Sequence, residues 1–137
     1  MEKKEMPSVC FIDDEEMMGE ICTELLGSHY LLKTFSSAEI ALEEIKKGYR
    51  PRVIVTDLRM PNLNGYQFIE KLKQIEISVP TIVISGNMNG TDAWNLLNRG
   101  IFSCLEKPFS FRDLQKKINL AMERQQFLVS EVAPVGE

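Results

Sequence analysis

The sequence lacks any apolar run near the ~20 residues a membrane-spanning helix requires, so no transmembrane segment is expected anywhere in its 137 residues. Cysteine is scarce. Cys10, Cys22 and Cys104 make an odd set with no Cys-x-x-Cys spacing, which argues against a disulfide framework and fits a reducing compartment. All three read as buried apolar thiols. Clustered positive charge is missing too. The net charge is −4 and the basic residues are scattered, so no dedicated nucleic-acid surface is expected. There is no internal repeat and no low-complexity tract. The opening "MEKKEMPS" carries no apolar stretch behind its charges and does not read as a secretory signal. The expectation is one cytoplasmic domain.

What is present is an alternation. Short apolar runs at 9–12, 52–56, 81–85 and 102–105, with a weaker one at 30–35, are separated by segments of helical period. Met18, Ile21, Cys22, Leu25 and Leu26 follow the spacing of one helix face. Ser36 with Glu39 suggests a capping box, and Gly48 an end to the helix it opens. Gly65, Phe68, Ile69 and Leu72 outline a third helix. A short fourth lies near 91–98, and Ser110 with Asp113 begins a fifth whose face is Leu114, Ile118 and Ala121. Strand followed by helix, five times over, predicts an α/β fold: a doubly wound, five-stranded parallel sheet with helices on both faces.

In such sheets, ligands bind beyond the carboxyl ends of the strands. Asp13 and Asp14 follow the first strand. Asp57 follows the third, in "VIVTDLRMP". Ser85 ends the fourth, and Lys107 follows the fifth. Three carboxylates, a hydroxyl and an ammonium therefore converge on one rim. Carboxylates packed this closely repel and call for a hard divalent cation, and a site with few protein oxygens suits Mg2+ better than Ca2+. The stretch 57–70 is not an EF-hand loop, since Arg59 and Pro61 stand where ligands belong. A strand that delivers a single carboxylate to such a rim offers a nucleophile for a phosphoryl group. Lys107 and Ser85 then compensate the phosphoryl oxygens.

The ordered stretches "FIDDEE", "VIVTDLRMPNLNG", "VISG" and "CLEKPF" resemble the receiver domain of two-component response regulators, over about residues 8 to 126. The resemblance implies the flavodoxin-like strand order 2-1-3-4-5. It implies phosphorylation of Asp57 by a histidine kinase. Mg2+ would be held by Asp14, Asp57 and the backbone carbonyl of Arg59, with Asp13 acting mainly through a water. Ser85 takes the switch hydroxyl position, and Lys107–Pro108 is expected to be a cis peptide. Such a domain is a phosphoacceptor switch rather than an enzyme with its own substrate. Its downstream protein would be met at the face of the fourth helix, fifth strand and fifth helix, as a monomer or a phosphorylation-dependent dimer. Residues 1–7 read as an N-terminal extension, 8–126 as the domain, and 127–137 as a tail or the start of a linker.

One position departs from the pattern. Cys104 stands where the family usually has Phe or Tyr. Phe102 is placed on the same strand face by alternation and reads as core, with a partial stand-in for the missing ring as the alternative. His29, the only histidine, falls in a loop far from the rim and reads as surface. Trp94 is expected to be partly buried, and Met17 and Met18 to pack. Two other readings stay open: an unphosphorylated interaction module of the same shape, and the N-terminal receiver of a longer regulator. A dehalogenase-type phosphatase would need a second aspartate where Arg59 stands. A nucleotide- or flavin-binding module would need a glycine-rich loop where "DDEE" stands.

Overall fold

A computed structural model of the chain describes residues 6–86 and 90–132. Its elements are β1 (Ser8–Ile12), α1 (Glu16–Leu26), β2 (Leu31–Phe35), α2 (Ala38–Lys46), β3 (Val53–Asp57), α3 (Gly65–Gln74), β4 (Thr81–Ser85), α4 (Gly90–Asn98), β5 (Ser103–Glu106) and α5 (Phe111–Val132). All strand pairs are parallel, and the sheet order is β2-β1-β3-β4-β5, as expected.

The strands show why the helices lie on both sides. β3 and β4 are buried along their whole length. Their side chains, with those of β1, alternate between two cores. Val9, Phe11, Val53, Val55, Ile82 and Ile84 pack with Cys22, Leu26, Leu114 and Ile118 of α1 and α5. Cys10, Ile12 and Ile54 point the other way, onto α2 and α3. Val83 joins a smaller cluster with Leu58, Ile69, Leu96 and Ile101. Register keeps the carboxyl ends level. Ile12 stands opposite both Phe35 and Thr56, Asp57 opposite Ile84, and Ser85 opposite Glu106.

Several local expectations are corrected. α2 is capped by Ser37, not Ser36: the Ser37 hydroxyl accepts from the Ile40 amide at 3.1 Å. Glu39 thus falls one position short of a capping box. The reciprocal box belongs instead to α3. Asn64 accepts from the Gln67 amide, and the Gln67 side chain accepts from the Asn64 amide, each at 2.9 Å. β5 begins at Ser103, so Phe102 precedes the strand and escapes its alternation. Phe102 packs on the α1/α5 core while Cys104 faces the α4 side. The two do not share a face. Trp94 is 65% exposed and Met17 70%, so neither packs as expected, whereas Met18 does. Cys10 and Cys22 are buried and Cys104 only partly. α5 continues past residue 126. Residues 1–5 and 133–137, parts of the expected extension and tail, lie outside the described residues. Among the described residues, no helix is long and apolar enough to cross a membrane.

Candidate functional site

Backbone hydrogen bonds carry three strand ends to one place. The Asp13 amide donates to the Phe35 carbonyl at 3.0 Å, extending β1 one residue along β2. The Leu58 amide donates to Ile84 at 2.9 Å, holding the end of β3 beside β4. The Lys107 amide donates to Ser85 at 2.9 Å and fixes the end of β5. Each group that could react is therefore attached to a paired backbone rather than to a free loop, which limits how far it can drift. Lys107–Pro108 is cis.

The side chains of Asp13, Asp14, Asp57 and Lys107 come together at this rim. Carboxylate oxygens of Asp13, Asp14 and Asp57 lie within 4.8 Å of one another. Asp13 and Asp57 are buried, at 5% and 8% exposure, and Asp14 is exposed. Lys107 Nζ lies 3.1 Å from Asp57 Oδ2 and 3.6 Å from Asp13 Oδ2. Ser85 is fully buried at the end of β4. Arg59 sits two residues beyond Asp57, exposed on the loop between β3 and α3. His29 is exposed between α1 and β2, outside this group.

Electrostatics show what the cluster is short of. Burial pushes the Asp13 carboxyl up. The Glu15 amide, donating to Asp13 Oδ1 at 2.9 Å, and the Lys107 ammonium oppose this, while Asp57 and Glu15 add to it. Burial alone would pull Lys107 down, yet its hydrogen bond to Asp57 and the charges of Asp57, Asp13 and Glu15 raise it overall. Among the described residues, the Lys107 ammonium pairs with Asp57 and Asp13, while Asp14 adds a third carboxylate to the cluster. The donors are all oxygen, and ionised they leave negative charge unmatched, which is the chemistry of a hard divalent cation site. The residues present fit Mg2+.

One contributor escapes the sequence reading. The Glu15 amide orients Asp13, though "DDEE" reads only as a run of charge. Gly65, expected on the face of the third helix, also approaches the loop after β3, and the approach is backbone on backbone. Its amide donates to the Leu58 carbonyl at 2.8 Å, and a Cβ there would lie 3.1 Å from Leu58 Cα and 3.3 Å from the Asp57 carbonyl oxygen.

Comparison with known proteins agrees with this fold. Residues 9–119 match the family model for the response regulator receiver domain. The chain is 32% identical over 131 residues to the transcriptional regulatory protein FixJ of Rhizobium meliloti, covering 95% of this chain and 62% of FixJ. It is 26% identical over 117 residues to the sensor histidine kinase RcsC of Escherichia coli K12, covering 85% of this chain and 12% of RcsC. Both relatives are thus longer than the part they share with it. Among solved structures, a response regulator receiver domain from Clostridium thermocellum superposes with a TM-score of 0.83 at 27% identity, covering 90% of this chain and 99% of that one. The structure of FixJ-N does so with a TM-score of 0.78 at 31% identity, covering 90% and 96%.

Proposed function

Since the chain belongs to the response regulator receiver domain family, we propose that it is a phosphorylation-controlled switch with Asp57 as the phosphoacceptor. The observation that carries the reading is the setting of Asp57: buried at the end of β3, with Lys107 Nζ 3.1 Å from Oδ2 and two further carboxylates beside it.

A carboxylate oxygen of Asp57 attacks phosphorus of a phosphohistidine on a histidine kinase. The new O–P bond gives an acyl phosphate, the N–P bond breaks, and the imidazole keeps its electron pair. Lys107 already touches the attacking carboxylate, so its ammonium stands where charge gathers on the transferred group. Ser85, at the end of the neighbouring strand, is the hydroxyl that meets the modified Asp57. Asp14, Asp57 and the Arg59 carbonyl would hold Mg2+, and Asp13 would act through water. A divalent cation held there would supply charge compensation for the phosphoryl oxygens. The contact surface that responds is the face of α4, β5 and α5, where Trp94, Leu97 and Leu120 are exposed.

The test is the intact mass of the protein after incubation with acetyl phosphate, with and without Mg2+. One phosphate adduct that requires Mg2+ and is absent from Asp57→Asn is the expected result. A folded wild type that binds beryllofluoride but gains no mass would point to a poor donor. One that does neither would leave a receiver-shaped interaction module.

A further inference from the structure

The attachment of α4 is slight. Among the described side chains of this helix, Leu96 is the only one fully buried, while Trp94, Asn95, Leu97 and Asn98 are exposed. A second attachment lies just past its end. The Arg99 amide donates to the carbonyls of Asn95 and Leu96 at 3.2 and 3.0 Å, so Arg99 moves with the last turn of α4. Its guanidinium carbon lies 5.1 Å from the centre of the Tyr66 ring, and Nη1 lies 2.8 Å from Glu70 Oε2. Tyr66 and Glu70 are four residues apart and share one face of α3. Stacking and a planar ion pair are an arginine's combination, not a lysine's.

The other end of this contact reaches the site. Tyr66 follows Gly65, whose amide is bonded to the Leu58 carbonyl and whose α-carbon has no room for a side chain against Leu58 and Asp57. The first turn of α3 therefore follows the backbone just after Asp57. Tyr66 also packs on the cluster that contains both Leu58 and Leu96.

We infer that Arg99 is a latch between helices α3 and α4: stacked on Tyr66 and paired with Glu70, it holds the C-terminal end of α4 against α3, whose first turn abuts the loop after Asp57, and its release frees α4. The coupling to the site rests on the phosphoacceptor reading, while the hold on α4 does not. A latch that favours the unmodified state opposes the change that follows phosphorylation of Asp57. Linkage then requires that removing it favour occupancy of Asp57 by the same factor by which occupancy favours release.

The test is amide hydrogen exchange across residues 93–99 with no phosphodonor present, in wild type, Arg99→Ala, Arg99→Lys and Lys33→Ala. The last breaks a different surface pair, Lys33 with Glu44. Exchange in α4 is expected to quicken roughly threefold to thirtyfold in Arg99→Ala, the range of an exposed ion pair plus a cation–π contact. Arg99→Lys should fall between, and Lys33→Ala should match wild type. Beryllofluoride with Mg2+ is expected to bind Arg99→Ala more tightly, by no more than that same factor. Trp94, the only tryptophan of the chain, reports the movement by its fluorescence. Unchanged α4 exchange in Arg99→Ala would overturn the latch, and unchanged beryllofluoride affinity would overturn its coupling to the site. A wild type that binds no beryllofluoride and takes up no phosphate counts against the phosphoacceptor reading. The exchange comparison still decides the latch.

Discussion

Lys107 is the residue on which the balance of the site turns. Among the described residues, its ammonium lies within 4 Å of two buried carboxylates. A hydrogen bond to a charged group contributes about 1.5–3 kcal/mol, or about ten- to hundredfold in rate if it acts mainly in the transition state. Lys107→Ala is therefore expected to take up phosphate from acetyl phosphate at least tenfold more slowly than wild type, with the adduct still on Asp57. An unchanged uptake rate would remove Lys107 from the chemistry. Asp13 gives the complementary case. Its carboxyl is held above the usual range chiefly by burial, so its ionised form works against folding at neutral pH. In chelator-treated protein, Asp13→Asn should raise the melting temperature by a few degrees. Added Mg2+ should stabilise wild type by ligand linkage and narrow the difference. A lower melting temperature in Asp13→Asn under chelator would contradict the account. These residues could be found in the sequence because each stands directly after a strand. The exposure of Trp94 could not, because a helix attached mainly through Leu96 does not present a broad apolar stripe.

At the scale of elements, α3 carries the clearest test. Its first residue touches backbone atoms that cannot rotate away. Gly65→Ala is expected to cost about 1–3 kcal/mol through overpacking, seen as a lower midpoint in urea with little change in slope. Asn64→Ala removes one half of a capping box and should cost about 1 kcal/mol. If Gly65→Ala were neutral, the close approach to Leu58 would have to relax at little cost. Helix and strand positions are legible from periodicity, since β3 and β4 are each built on three consecutive apolar residues and α3 repeats its apolar face. Caps were less so. "SS" offers two serines, and only the backbone, with Ser37 extended at φ −148° and ψ 148°, decides which one accepts the hydrogen bond. Phe102 falls off the face that alternation predicts for a related reason. Alternation holds only inside a strand, and β5 starts one residue after it.

The whole molecule has a titration of its own. Cys10 lies in the core on the α2/α3 side and Cys22 in the core on the α1/α5 side. Burial pushes both thiols up from 9.0 to about 12. Above pH 9 the unfolded chain gives up these protons while the folded chain keeps them. The unfolded state then binds fewer protons, and stability falls as pH rises between about 9 and about 12. Lys107, raised in the fold, acts in the same direction at the upper end of that window. Melting temperature should therefore drop steadily across the range, and less steeply in Cys22→Ala. In native protein near pH 8, a thiol reagent should react first with Cys104, which is only partly buried. Simultaneous reaction of all three would mean that the two cores open readily. At this scale the topology was legible because strand–helix alternation leaves few arrangements, and the strand order came with the family resemblance.

The strand order also has a consequence for synthesis. β1 pairs with β2 and β3, so three of the five strands are complete once residue 57 has been made, while β4 and β5 come later. Every pairing in the sheet joins segments distant in the chain, which slows folding and gives the order of emergence weight. Asp13 and Asp57 stand at the ends of adjacent strands in that first half. Lys107 follows the last strand. On the ribosome, the nascent chain can bring its mutually repelling acids together roughly fifty residues before the cation that relieves them exists, so free metal during translation should favour the early three-stranded core.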